Sequence, residues 1–289
     1  MADASRVEDL RPGDHACLTF SDGEERLDLV AAIVRDGLQS GQRVLCVTDT
    51  LSQVALTGEL SGRGVALGDA TESGQMLVMR TAETFLVDGS FTAQRVVDLL
   101  AAQISQAATD GFSGLRITSD MSWALRPVAG LDQLMNYESK LTDLVADTSA
   151  TAVCQYDRQS FDTVTLAGVA AHHGFALAAA TYHNDAFLRI CRQYQPPGIR
   201  VSGEIDYRRA DPLTLALTEA LALDSHMYLN LATLDFMDGS IAGVIMQAAA
   251  SLGQSQRMTI RCQPHAGKIF HALGLPDLPN VTVVVNDDQ

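Results

Sequence analysis

Residues 13–49 read GDHACLTFSDGEERLDLVAAIVRDGLQSGQRVLCVTD and contain two short apolar runs separated by a longer amphipathic segment. The runs HACLTF (15–20) and RVLCVTD (43–49) have the length and composition of buried strands. Between them, apolar residues recur at the three- and four-residue spacing of one helix face, at Leu27, Val30, Ile33, Val34 and Leu38. The stretch therefore predicts a strand, a helix and a parallel strand, which is the repeating unit of an α/β fold.

The same alternation continues as far as residue 183. Further apolar runs occupy 75–80, 115–121, 151–157 and 175–183. Amphipathic segments of helical length lie at 92–111 and 128–147. This pattern predicts a mostly parallel sheet covered by helices.

A break in the pattern predicts a domain boundary. Pro196, Pro197 and Gly198 cannot continue the helix that we predict over residues 185–194. We therefore expect one domain over 1–195 and another over 196–289. In the second, strands are predicted at 199–206, 227–235, 257–263 and 281–285, with helices at 211–223, from about 240, and at 265–273.

Composition excludes several classes of function. The formal net charge of −15 over 289 residues opposes binding to nucleic acids and to anionic membranes. The N-terminal residues 1–14 do not resemble a signal peptide, and no run of about 18 apolar residues is present. We therefore expect a cytoplasmic protein that binds no membrane, and the sequence leaves open whether it forms a homo-oligomer.

Polar and aromatic residues follow the predicted strands of the first domain. In open parallel sheets, ligands bind at the carboxyl ends of the strands. The candidate ligand-binding residues are Ser21, Asp22, Asp49, Asp120, Met121, Trp123, Tyr156 and Asp157. An aromatic wall with a few polar groups suits a small, partly apolar ligand. The alternatives are core packing for Trp123, helix capping for Asp49 and Asp120, and, for Asp157, an ion pair with Arg158 or Arg116 or simple exposure to solvent.

Neither a nucleotide nor a metal is predicted from motifs. A phosphate-binding loop would need a lysine after the first strand, but SDGEERLD (21–28) has acids there, so nucleotide hydrolysis is disfavoured. His15 and Cys17 share one strand face and invite a metal or haem site with Cys154 or the pair His172-His173. Two ligands do not make a site, so the sequence predicts no metal and no cofactor. It also predicts that the five cysteines are buried free thiols.

Four blocks of the first domain resemble a known family. They are residues 13–49, RITSDMSWAL (116–125), YESKL (137–141) and AVCQYDRQSF (152–161), and they resemble the MEDS domain, the sensory region of the regulator DcmR. The resemblance implies a RecA- or KaiC-like α/β core that senses small molecules.

The second domain resembles a STAS domain, the fold of anti-sigma factor antagonists. The resemblance covers IRVSGEIDYRRADPLTLALTEAL, YLNLATLDFMDGSIAGVI and AGKIFHALGLPDLPNVTV, in that order. It implies that a loop opening a helix docks on an ATP-binding anti-sigma kinase and is phosphorylated by it. The family's Asp-Ser-Ser-Gly reads Asp238-Gly239-Ser240-Ile241 here, so the usual phosphorylated hydroxyl is missing. The alternative for Asp238 and Ser240 is helix capping alone.

These observations predict a non-enzymatic signalling protein whose small-molecule sensor controls a domain that binds an anti-sigma factor, with or without phosphorylation. One alternative is a non-catalytic scaffold. Another is an enzyme that uses Asp120, Asp157 and Tyr156 as acid–base groups.

Overall fold

A computed structural model describes residues 7–286 of the chain. Its contacts divide the chain into two compact units between Ala178 and Ala179. The division therefore precedes the boundary expected at Pro196. The outer ends of both predicted domains lie outside the described residues.

The first unit contains a six-stranded sheet in which every neighbouring pair is parallel. Its strands are β1 (His15–Phe20), β2 (Arg43–Thr48), β3 (Met76–Arg80), β4 (Leu115–Asp120), β5 (Ala150–Asp157) and β6 (Phe175–Leu177). Their order across the sheet is β3-β2-β4-β5-β1-β6. The parallel sheet predicted from the apolar runs is confirmed.

Helices connect these strands. They are α1 (Gly23–Gln39), α2 (Gln53–Gly62), α3 (Gly68–Glu72), α4 (Thr81–Thr84), α5 (Ala93–Thr109), α6 (Leu134–Ala146) and α7 (Thr163–His172). Asp22 begins α1 by accepting a hydrogen bond from the Glu25 amide at 2.7 Å, which is an N-cap. The amphipathic segments predicted α1, α5 and α6.

Two apolar layers pack on the sheet of the first unit. The larger one contains an aromatic group, in which Trp123 lies 4.5 Å from Phe91 and 5.6 Å from Phe85 between ring centroids. Tyr137 contacts both phenylalanines edge-on. Leu45 and Ile117 supply the sheet side of this layer, and the other face packs against α1 and α2. Burial on both faces explains why the strands read as nearly continuous apolar runs.

The second unit has a mixed, seven-stranded sheet. Its strands are β7 (Thr181–Asn184), β8 (Leu188–Tyr194), β9 (Pro197–Ile205), β10 (His226–Leu231), β11 (Leu234–Met237), β12 (Arg257–Cys262) and β13 (Val281–Val285). The order is β13-β12-β10-β9-β8-β7, and β11 also pairs with β9. Its helices are α8 (Ala210–Leu223), α9 (Gly239–Ala250) and α10 (Pro264–Ala272).

The helix predicted over 185–194 is wrong. These residues contain β8, which pairs antiparallel with β7 and β9, so Pro196 lies in a hairpin turn and Pro197 begins β9. Leu188 and Ile190 point into the core with the two-residue period of a strand. Pairing on both sides overrides local helical preference. The predicted strand at 175–183 is also divided, because β6 joins the first sheet and β7 the second.

Two further expectations concern membrane-spanning helices and cysteines. Within residues 7–286, no helix is both long and apolar enough to cross a bilayer. All five cysteines are buried and free, as predicted.

Candidate functional site

The carboxyl edge of the first sheet is organised around Asp120, which is 1% exposed. Its carboxylate accepts hydrogen bonds from the Thr50 amide at 3.0 Å and the Ser122 amide at 3.0 Å. Arg26 forms an ion pair with it at 2.8 Å and also donates to Gln155 at 2.7 Å. Asp120 is thus both a cap, one of the roles expected, and one half of a buried ion pair.

Burial raises the pKa of Asp120, but Arg26 and the hydrogen bonds from Thr50 and Ser122 lower it by more. The net pKa lies below the usual value, and the carboxylate is ionised at neutral pH. An ionised, fully bonded carboxylate is a fixed acceptor rather than a proton donor.

Asp49 lies beside Asp120 at the same edge. Its amide approaches the Asp120 carboxylate at 3.3 Å, and its own carboxylate accepts two hydrogen bonds from Arg126, at 2.8 and 2.9 Å. The hydroxyl of Thr81 also donates to it. The structure therefore brings Asp49 and Asp120 together, as strand-end reasoning predicted.

The other polar candidates lie along the same edge, at the ends of β1 and β5. The Ser21 hydroxyl accepts a hydrogen bond from Arg158 at 2.8 Å, and Asp22 caps α1. Asp157 accepts from the Gln159 amide at 2.8 Å and the Ser160 hydroxyl at 2.6 Å. Asp157 therefore orders the turn after β5.

The apolar candidates lie in the core. Met121, Trp123 and Tyr156 are each 0% exposed. Trp123 belongs to the aromatic layer, so the alternative of core packing describes its position, although its indole nitrogen has no hydrogen-bond partner within residues 7–286. The hydroxyl of Tyr156 donates to Glu138. These three side chains lie in the core below the polar residues at the carboxyl edge of the sheet.

A second polar cluster lies inside the first unit. Its members are at most 9% exposed and offer ligand atoms within 4.8 Å of one another; they are His15, Glu138, Cys154 and His173. Three of them were singled out from the sequence as metal candidates, but Glu138 was not. The available signal was a carboxylate on the apolar face of α6, between the buried residues Leu134 and Leu141.

Burial sets the protonation of this cluster. Burial lowers the pKa of His173 to about 4, so its ring is neutral at pH 7. Burial raises the pKa of the Cys154 thiol well above its usual value, and Glu138 adds to that effect. Burial raises the pKa of Glu138, but His15, His173 and Tyr156 together lower it by a larger amount. The net pKa of Glu138 therefore lies below its usual value. Glu138 is thus an ionised carboxylate in the core, next to two histidines.

The second unit places its candidate residues at the start of α9. Asp238 is the N-cap, since its carboxylate accepts from the Ile241 amide at 3.0 Å and also from the Tyr207 amide at 2.9 Å. Gly239 and Ser240 are exposed. The alternative of helix capping therefore describes the position of Asp238.

Apolar side chains are exposed near this helix start. The exposed fractions are 50% for Phe236, 61% for Tyr207 and 64% for Phe187. Phe187 and Phe236 line a small cavity of about 100 Å³ together with Glu204 and Asp206. We call Phe187, Tyr207, Phe236 and Asp238 the α9 surface. It combines aromatic area with carboxylates, a composition suited to binding another protein.

Comparison with known families assigns both units. A model of the MEDS family, described as the MEthanogen/methylotroph, DcmR Sensory domain, matches residues 14–174. The match covers more than half of the chain, and the chain belongs to this family. A model of the STAS domain matches residues 192–287. Both resemblances seen in the sequence are confirmed, and a sensory domain followed by a STAS domain supports a role in signalling and regulation.

Two solved structures are similar to the chain. The flagellar accessory protein FlaH from Methanocaldococcus jannaschii has 10% identity and a TM-score of 0.44, with 66% of this chain and 82% of that chain covered. The KaiC-like protein PH0186 from Pyrococcus horikoshii OT3 has 14% identity and a TM-score of 0.45, with coverages of 64% and 79%. At these scores, neither likeness carries an argument about function.

Proposed function

We propose that the chain is a cytoplasmic, non-catalytic signalling protein. Its MEDS domain binds a small, partly apolar molecule and thereby controls a STAS domain that binds an anti-sigma factor of the ATP-binding kinase class. The observation that carries the proposal is the exposed start of α9, where Asp238, Gly239 and Ser240 adjoin Phe236 and Tyr207. The resemblance to STAS domains implies that this segment is the docking loop.

The α9 surface has the properties that partner binding requires. Buried aromatic side chains supply much of the free energy at protein interfaces. Phe236 and Tyr207 are available for this because both are at least half exposed. The carboxylates of Glu204 and Asp238 favour a partner with basic groups around an apolar pocket.

The control of docking differs from that of STAS domains with two serines. A phosphate on the first serine would add about −1.5 to −2 charges beside Asp238 and repel an acidic partner surface. Gly239 occupies that position and offers no hydroxyl. We therefore propose that docking is governed by the sensor rather than by phosphorylation.

The sensor half of the proposal rests on the carboxyl edge of the first sheet. Asp49 and Asp120 converge there with Arg26 and Arg126, and of these four side chains the half-exposed Arg126 is the most accessible to a small molecule. Because Asp120 is ion-paired and fully bonded, we assign it to recognition and positioning, not to proton transfer. A ligand acts on the STAS domain only by binding one conformational state more tightly than another.

Partner binding is tested with purified proteins. The full chain is titrated against each ATP-binding anti-sigma kinase of its own organism, and the dissociation constant is measured. We expect Phe236→Ala to weaken binding about 30-fold, the typical effect of removing an interface aromatic, and Asp238→Lys to weaken it further by reversing a charge.

Leu223→Ala is the matched control, because Leu223 is as exposed as the aromatic residues but ends α8. It should leave the dissociation constant unchanged. Kinase binding that survives both Phe236→Ala and Asp238→Lys would contradict the proposed surface. If no anti-sigma kinase binds, the partner class is wrong.

Ligand binding is tested by native mass spectrometry of the freshly purified chain, which also gives its oligomeric state. A co-purified small molecule that changes the affinity for the kinase supports the sensor. An empty chain whose kinase affinity is insensitive to a metabolite extract would support the scaffold alternative instead.

A further inference from the structure

We propose that His15, Glu138, Cys154 and His173 bind one Zn²⁺ ion inside the MEDS domain. The residues come from four separate elements: the start of β1, the middle of α6, the middle of β5 and the end of α7. Imidazole, thiolate and carboxylate are the ligands that Zn²⁺ takes in proteins. The proposal is independent of partner binding by the STAS domain.

The distances between the ligand atoms fit a tetrahedral ion. Zn²⁺ bonds of about 2.0 Å to nitrogen or oxygen and about 2.3 Å to sulfur separate the ligands by about 3.3 to 3.6 Å. The Glu138 Oε2 atom lies 3.3 Å from His15 Nε2 and 3.4 Å from His173 Nε2. The Cys154 Sγ atom lies 3.4 Å from His15 Nε2 and 3.5 Å from Glu138 Oε2. These four distances are therefore close to the distances between ligand atoms around a tetrahedral Zn²⁺ ion.

Hydrogen bonds set both histidines in the metal-binding tautomer. The Nδ1 atom of His173 lies 2.8 Å from the Val169 carbonyl, which can only accept, so Nδ1 carries the proton. Thr142 donates its hydroxyl proton to a backbone carbonyl and therefore accepts from His15 Nδ1 at 2.8 Å. In both rings the Nε2 lone pair is left facing Glu138. Such bonds from the far ring nitrogen are typical of metal-binding histidines.

The carboxylate is also oriented for a metal. Tyr156 donates to its Oε1 atom, which leaves Oε2 facing His15 and His173. The Nε2 atom of His173 has no hydrogen-bond partner among the described residues, although it is buried. A lone pair directed at a carboxylate oxygen is unfavourable unless a cation lies between them. A Zn²⁺ ion would satisfy both groups and neutralise the fully buried Glu138.

Four protein ligands leave no open position, which is typical of structural zinc. The ion would join β1, β5, α6 and the end of α7 at the amino end of β1. Such an ion couples folding to metal binding, because the site does not exist in the unfolded chain.

The test uses the metal alone. The full chain is treated with a chelator, dialysed, and titrated with Zn²⁺ and with Co²⁺ as a spectroscopic substitute. We expect one ion per chain, the strong visible absorption of tetrahedral Co²⁺, and a thiolate-to-cobalt charge-transfer band. Failure to retain any Zn²⁺, or an octahedral cobalt spectrum, would overturn the proposal without any variant having to fold.

Substitutions then assign the ligands. Glu138→Gln, Cys154→Ser and His173→Gln should each weaken Zn²⁺ binding by more than the about 10- to 100-fold expected for Thr142→Val, which removes only an orienting partner. His172→Gln is the matched control. His172 directly precedes His173 and its ring bonds the Gly168 carbonyl, but it is not one of the four clustered residues. Equal loss of zinc in the His172 and His173 variants, or no loss in any ligand variant, would refute the assignment.

Discussion

Asp120 and Asp238 perform the same local task in very different surroundings. Asp120 ends β4 and Asp238 follows β11, and each accepts a backbone hydrogen bond that begins the next helical turn. Asp120 is 1% exposed and is paired with Arg26, whereas Asp238 is half-buried beside the exposed Gly239 and Ser240. The polar groups around Asp120 in the MEDS domain are thus buried, whereas those around Asp238 in the STAS domain face solvent.

This difference in burial predicts how each site responds to substitution. A buried charge depends on its partner, so its removal costs stability first. An exposed cap tolerates neighbouring substitutions, so they alter recognition first.

Arg26→Met should have the largest effect on stability. It leaves Asp120 buried without its cation, which costs about 3–5 kcal/mol of unfolding free energy. Urea unfolding followed by the fluorescence of Trp123, the only tryptophan and a residue of the first unit, measures this loss. The control is Arg126→Met, which removes the 52% exposed partner of the 5% exposed Asp49 side chain and should cost less than Arg26→Met, because Thr81 still donates a hydrogen bond to the Asp49 carboxylate. Equal losses would contradict the idea that a buried cation stabilises a buried carboxylate more than a half-exposed cation does.

Asp120→Asn should lower stability by about 1–3 kcal/mol at neutral pH, since it weakens charge-assisted hydrogen bonds. The pKa of Asp120 is lowered below its usual value of 3.8, so its contribution is complete above that pH and declines as the pH falls through the lower, folded-state pKa. The stability difference between wild type and variant should therefore be constant from about pH 8 to about pH 5 and shrink in acid. Urea unfolding of both proteins across this range checks it, and a difference that changes near neutrality would argue against an ionised Asp120.

Asp238→Ala should cost about 1 kcal/mol, the usual cost of removing an N-cap. Ser240→Ala should change stability by less than about 0.5 kcal/mol, because the side chain is exposed. Chemical unfolding followed by far-ultraviolet circular dichroism compares the two variants. A larger loss for Ser240→Ala would mean that the serine, and not the aspartate, holds the start of α9.

Gly239→Ser should have the smallest effect on stability and a distinct effect on modification. A Cβ atom at position 239 meets nothing within 4 Å, so the unfolding free energy should change by less than about 0.5 kcal/mol. The variant should acquire phosphate at position 239 from a binding anti-sigma kinase and ATP, as measured by phosphopeptide mass spectrometry. Wild type should remain unmodified, and phosphate on Ser240 of wild type would show that the switch is retained.

Sequence reasoning succeeded where a pattern is local. The apolar runs located β1 to β5 of the first unit and β9, β10, β12 and β13 of the second, and the carboxyl-end rule predicted that Asp49 and Asp120 would lie at one edge. It failed over residues 185–194, because β8 forms through pairing with distant strands. Trp123 could not be assigned to core or site either, since both roles place an aromatic residue after a strand.

The sequence by itself determined the α/β class, the two families and the missing serine at Gly239, because these depend on residue types and spacings along the chain. Only the tertiary structure decided that Glu138 lies among His15, Cys154 and His173. These four residues are far apart in the sequence, and only the packing of α6 and α7 on β1 and β5 sets their distances. A cluster of this kind is a property of packing, which no local pattern encodes.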